Sequence, residues 1–153
     1  RSGPDRRNTV LDKVRLPGLK SLACAVAIAG LMPVAAMADE NWTSAQFGEI
    51  VYEKDVGDTA VLSMAGGHPG SRVYIYLPGM AGNTSERGEF DGYWIESAPG
   101  ECATDKTGAD GLESNLWGDV QVEFENPGYP SGFTIRIGSC GGEFTDEAWA
   151  DPS

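Results

Sequence analysis

Val120-Gln121-Val122-Glu123-Phe124-Glu125 and Phe133-Thr134-Ile135-Arg136-Ile137 both alternate apolar and polar residues. In the first, Val120, Val122 and Phe124 face one way while Gln121, Glu123 and Glu125 face the other. A period of two with one apolar side describes a half-buried antiparallel strand. Between them stand Asn126-Pro127-Gly128 and Tyr129-Pro130-Ser131-Gly132, residues that preset turn dihedrals.

Working outward, strands are also predicted over 48–54, 59–64, 72–77 and 92–96, with the quoted pair covering 120–125 and 133–139. Asp55-Val56-Gly57-Asp58, Gly66-Gly67-His68-Pro69-Gly70, Pro78-Gly79 and Ala98-Pro99-Gly100 punctuate them. Helical spacing is confined to a short turn over 145–150. The 21 glycines and 9 prolines among 153 residues lack the three-residue period of collagen and disfavour a helical bundle. The expected fold is all-β, a single antiparallel β-sandwich or small barrel. Two connections, 78–91 and 97–115, exceed a hairpin turn and are the expected place for recognition residues.

The first forty residues differ in composition. Six of the eleven Lys/Arg, namely Arg1, Arg6, Arg7, Lys13, Arg15 and Lys20, precede a stretch over 21–38 in which Cys24 is the sole ionisable side chain. The stretch ends in Ala36-Met37-Ala38, a small-x-small cleavage pattern. Basic, apolar and small-residue regions in this order predict a cleaved signal peptide over 1–38, with a spurious extension at its start, and export to the periplasm or medium. Gly30 and Pro33 interrupt a short, alanine-rich run, which disfavours a stable membrane anchor. The mature domain is then 39–153.

That domain holds 21 acidic residues against Lys54, Arg72, Arg87, Lys106 and Arg136, a net charge of −16. Such a field repels nucleic acid and anionic membranes and attracts cationic partners. Cys102 and Cys140 form an even pair, read as one disulfide in an oxidising compartment.

Enzyme signatures are missing. His68, the single histidine, sits in a Gly/Pro turn and reads as solvated, and no G-x-S-x-G occurs. Asp105, Asp110 and Glu113 share a loop and are weak calcium candidates. With Gly111 at the sixth position of an EF-hand loop, Lys106 and Trp117 occupy positions one and twelve, which breaks that motif. No cofactor is expected. Trp94 and Trp117 read as core, and Trp42 and Trp149 are left open.

The run from Arg72 to Glu96, Arg-Val-Tyr-Ile-Tyr-Leu-Pro-Gly-Met-Ala-Gly-Asn-Thr-Ser-Glu-Arg-Gly-Glu-Phe-Asp-Gly-Tyr-Trp-Ile-Glu, resembles a segment of small exported bacterial proteins, as does Asn115-Leu116-Trp117-Gly118-Asp119-Val120. At the level of architecture the chain is similar to the periplasmic lysozyme inhibitors, exported β-sandwiches or barrels that place loop residues in the lysozyme cleft. Of their Ser-Gly-x-Tyr type motif, Ser131-Gly132-Phe133-Thr134 keeps half, with threonine in place of tyrosine, and Ser71-Arg72-Val73-Tyr74 lacks the glycine.

The expected function is therefore an exported, non-catalytic binding protein whose acidic surface engages a cationic protein such as a lysozyme. Arg87 is the expected contact with a lysozyme carboxylate, and Glu86, Glu89 and Asp91 the contacts with its basic rim. The alternatives are a glycan-binding module or glycoside hydrolase using exposed tryptophans and paired carboxylates, and a structural envelope protein.

Overall fold

The computed structural model describes residues 40–153, and the signal-peptide reading of 1–38 lies outside them. Ten strands follow in order: β1 (Asn41–Ser44), β2 (Gly48–Val56), β3 (Thr59–Ala65), β4 (Arg72–Pro78), β5 (Glu89–Glu96), β6 (Lys106–Thr107), β7 (Glu113–Ser114), β8 (Trp117–Phe124), β9 (Phe133–Gly138) and β10 (Phe144–Pro152). Eight of them pair antiparallel into a closed, barrel-like sheet in the order β1-β10-β9-β8-β5-β4-β3-β2. Strands β6 and β7 form a small separate hairpin within the long connection from β5 to β8.

The quoted alternation builds the interior. Val120 pairs with Ile137, Val122 with Ile135 and Phe124 with Phe133, so three buried apolar pairs stack across β8 and β9. Strand β5 adds Trp94, whose ring lies over Gly118 of β8 and reaches β9 because Gly118 has no side chain. A Cβ on Gly118 would lie 2.6 Å from the indole Nε1 and 1.8 Å from the Gly138 carbonyl oxygen. That Nε1 donates to the Gly138 carbonyl at 2.8 Å.

Strand β3 is buried on both faces from Thr59 to Met64. Leu62 points into the main core, while Val61 packs outward with Tyr76 and Ile95. This outer cluster is covered by the β5–β8 connection, whose Leu112 packs on it. Asp110 accepts from the Tyr76 hydroxyl at 2.9 Å and pairs with Lys54 at 2.9 Å. Gly108 fits because a Cβ would lie 2.4 Å from the Tyr76 ring.

Besides the short hairpin strands β6 and β7, two strands of the closed sheet were not expected. Residues 145–150, read as a helical turn, belong to β10, where Glu147 pairs with Arg136, Trp149 with Thr134 and Ala150 with Phe133. The inward residues Ala148 and Ala150 are small, so the apolar alternation is faint, and ladder partners on both sides override the local pattern. Strand β1 closes the ring between β10 and β2.

The expected disulfide is present: Cys102 is bonded to Cys140 and ties the β5–β8 connection to the turn before β10. The linked residues are 38 apart, for which the chain-entropy model gives a stabilisation of about 4 kcal/mol. Cys102→Ser/Cys140→Ser is expected to lower unfolding stability by up to that amount in urea titrations, and an unchanged midpoint would contradict it.

Candidate functional site

Two rows of outward side chains cross four neighbouring strands. Register places Glu89, Glu123, Thr134 and Trp149 in one row, and Asp91, Gln121, Arg136 and Glu147 in the other. The second row is hydrogen-bonded throughout. Gln121 Nε2 donates to Asp91 at 2.9 Å, Arg136 Nη1 to Gln121 at 2.7 Å, and Arg136 Nε to Glu147 at 2.7 Å. The hydrogen bond to Glu147 raises the Arg136 pKa, burial opposes it, and the charges of Glu147, Glu123 and Glu89 add to the rise. In the first row Glu89 and Glu123 stand directly opposite each other, an arrangement that repels. Arg136, 3.8 Å from Glu123, is the cation that offsets it.

Trp149 ends the first row with 41% of its surface exposed. Its Nε1 donates to Asp151 at 2.8 Å, and its ring lies over Gly132, where a Cβ would meet it at 2.3 Å. An exposed aromatic anchored at one end therefore sits among Glu123, Glu147 and Asp151. Strand β5 starts at Glu89, so Glu89 and Asp91 belong to this strand face rather than to a loop.

Arg87 is not a surface residue, contrary to expectation: it is 3% exposed. Its Nε donates to the Asn83 carbonyl at 2.8 Å, and its guanidinium lies 5.2 Å from the Phe124 ring centre and 5.9 Å from that of Tyr129. Nη2 approaches Glu40 Oε2 at 2.6 Å without the alignment of a hydrogen bond, so charge holds the pair. The residue fastens the 79–88 connection over one end of the barrel, beside the buried Met80. Glu86 stays exposed, its N–H donating to Asn83 Oδ1 at 2.8 Å.

The calcium candidates are not brought together either. Asp110 is committed to Lys54 and Tyr76, Glu113 accepts from Thr107 at 3.2 Å, and Asp105 is exposed. Among the described residues, no group of three His, Cys, Asp or Glu side chains is arranged to hold a metal ion.

His68, Ser71 and Glu96 meet at the other end of the barrel, although their pattern is not that of a nucleophile and base. The Ser71 hydroxyl bonds Glu96 and the His68 carbonyl, and the His68 ring bonds Glu96 through Nδ1 at 2.9 Å. The carboxylate thus gathers both groups, and the imidazole does not accept the serine proton. The sequence reading missed this cluster because Glu96 lies 25 residues from Ser71 and 28 from His68. Trp42 and Trp94 are core residues, whereas Trp117 is half-buried with its Nε1 donating to the Thr104 carbonyl at 2.8 Å.

Two variants test these assignments. Arg87→Ala leaves Glu40 as a lone buried charge and is expected to cost about 3–5 kcal/mol in urea unfolding. For Glu96, burial raises the pKa, but the bonds from Ser71 and His68 outweigh it and hold the carboxyl below its ordinary 4.5. Burial likewise opposes a net lowering at Asp110 by Lys54, Tyr76 and the Leu112 N–H, below 3.8. Their stabilisation is present above those ordinary values and is lost as pH falls through the lower folded ones. The thermal midpoint is accordingly expected to drop with acidification, less steeply in Glu96→Gln and in Asp110→Asn.

No family model, no curated protein and no solved structure matches this chain.

Proposed function

We propose that the chain is an exported, non-catalytic binding protein that engages a cationic protein, of the lysozyme kind, through the outer face of β5, β8, β9 and β10. One observation carries this reading: all five Lys and Arg residues of 40–153 have internal partners. Lys54 pairs with Asp110, Arg72 with Glu53, Arg87 with Glu40 and Arg136 with Glu147. Lys106 lies 4.7 Å from the Tyr93 ring centre and 5.1 Å from that of Trp117. The 20 acidic residues of the same span leave a net −15, so the charge available to a partner is of one sign.

A field of that sign accelerates encounter with basic proteins. Trp149 supplies the apolar anchor that a purely electrostatic contact lacks, and tryptophan flanked by polar groups is a common energetic centre of interfaces. Glu123, Asp91 and Glu147 would pair with Lys or Arg side chains around it. The buried Arg87 has no part in the contact, which replaces the cleft-insertion version of the reading. The Cys102–Cys140 bond is compatible with an oxidising, exported setting.

Calorimetric titration with a basic lysozyme at low and physiological salt tests the proposal. Saturable one-to-one binding is expected at both, weakened tenfold or more by Trp149→Ala and by the triple variant Glu89→Gln/Asp91→Asn/Glu123→Gln. Heat that vanishes at physiological salt, or equal affinity in both variants, would sink it. Binding of oligosaccharides instead, lost in Trp149→Ala, would assign the exposed indole to glycan stacking.

A further inference from the structure

The two ends of the barrel differ. One is filled by Trp42, Phe124 and Phe133, with Tyr129 and Met80 packed against them and the Arg87–Glu40 pair beside the rings. The other, among the turns at 45–47 and 66–67, retains a cavity of about 400 Å³. Its walls are apolar: Phe47, Met64, Val73, Trp94 and Ile137. The single ionisable group that lines it is Glu96.

Glu96 is 5% exposed, and its two oxygens are treated differently. Oε1 accepts from the His68 N–H at 2.9 Å, the His68 ring at 2.9 Å and the Ser71 hydroxyl at 2.5 Å. Among the described residues no donor reaches Oε2. Gly66 and Gly67 leave the approach clear. A Cβ on Gly66 would lie 2.7 Å from Oε1, and one on Gly67 would lie 3.8 Å from Oε2. A carboxylate fixed through Oε1 leaves Oε2 free to accept from a ligand donor at this cavity.

We propose that this cavity binds a small organic ammonium ion, its N–H groups donating to Glu96 Oε2 and its apolar body packing on Trp94, Phe47 and Met64. The charge sign is set twice, by Glu96 locally and by the −15 of the surrounding domain, which disfavours carboxylate and phosphate ligands. The volume lies within the roughly 300–1,000 Å³ range of small-molecule sites and suits one aromatic or short alkyl amine. Trp94 contributes only its ring, because its N–H is already bonded to Gly138, and a ring face also attracts a cation. This site is independent of the acidic outer face.

The test is calorimetric titration of the purified protein with 2-phenylethylammonium, beside 3-phenylpropionate and neutral 3-phenylpropanol. Saturable one-to-one binding is expected for the amine alone, weakened at least tenfold in Glu96→Gln. Gly67→Leu, which places a side chain at the approach to Oε2 without removing a charge, is expected to abolish it, while Trp149→Ala leaves it unchanged. No saturable binding of the amine, equal binding of alcohol and amine, or an unaltered affinity in Gly67→Leu would each overturn the proposal. The ligand series on the unmodified protein decides the matter even where Glu96→Gln fails to fold.

Discussion

Closure of the sheet by the four-residue strand β1 is the constraint on which the rest of this molecule depends. Asn41–Ser44 pairs with β2 along its whole length and with β10 at Trp42 and Thr43. Without it, β2 and β10 would present unpaired backbone to solvent, a standing risk of edge-to-edge association. Trp42 couples closure to packing: it is fully buried, meets Phe133 and Phe124 edge-on at 5.2 and 6.2 Å, and donates to the Ser131 carbonyl at 2.8 Å. The indole that closes the ring therefore also fills one end of it. Asymmetry between a filled and an open end follows from where this one large residue falls.

The legible parts of the fold were those in which large apolar residues alternate. Val122 and Ile135 announce β8 and β9 without help from any partner, and the six expected strands correspond to β2, β3, β4, β5, β8 and β9. In β10 the inward positions are Ala148 and Ala150, while the large residue, Trp149, points outward, so the local pattern misdirects. Asn41–Ser44 is too short to show any period. Both strands become strands because neighbours distant in sequence supply hydrogen-bond partners, and a local reading has no access to that. The same limit governs the site. An arginine in a Gly/Asn/Ser-rich connection reads as solvated, and only Glu40, Phe124 and Tyr129 around Arg87 reveal that it is interior.

The long β5–β8 connection has an equally physical explanation. Val61, Tyr76 and Ile95 point away from the barrel interior and would expose apolar surface if nothing covered them. The connection lies back over them with Leu112, stacked Lys106 and the Asp110 anchor, and the disulfide holds its start. It is better understood as a second small core than as a recognition loop. That shifts the argument for binding onto the strand face bearing Trp149 and onto the open end.

Two buried carboxylates show how an excess of acid can be accommodated without neutralising it everywhere. Glu40 faces a buried guanidinium, and the pair is closed on itself beneath aromatic rings. Glu96 has no such permanent cation. Its donors are a hydroxyl, a backbone amide and a histidine ring that is 55% exposed, all converging on one oxygen. A buried anion matched by a full positive charge gains little from any further ligand. One held by a hydroxyl, an amide and a solvent-exposed ring, all on Oε1, leaves its second oxygen for a further donor. Among the described residues every Lys and Arg already has a partner, and Glu96 lines an apolar space together with Trp94 and Phe47.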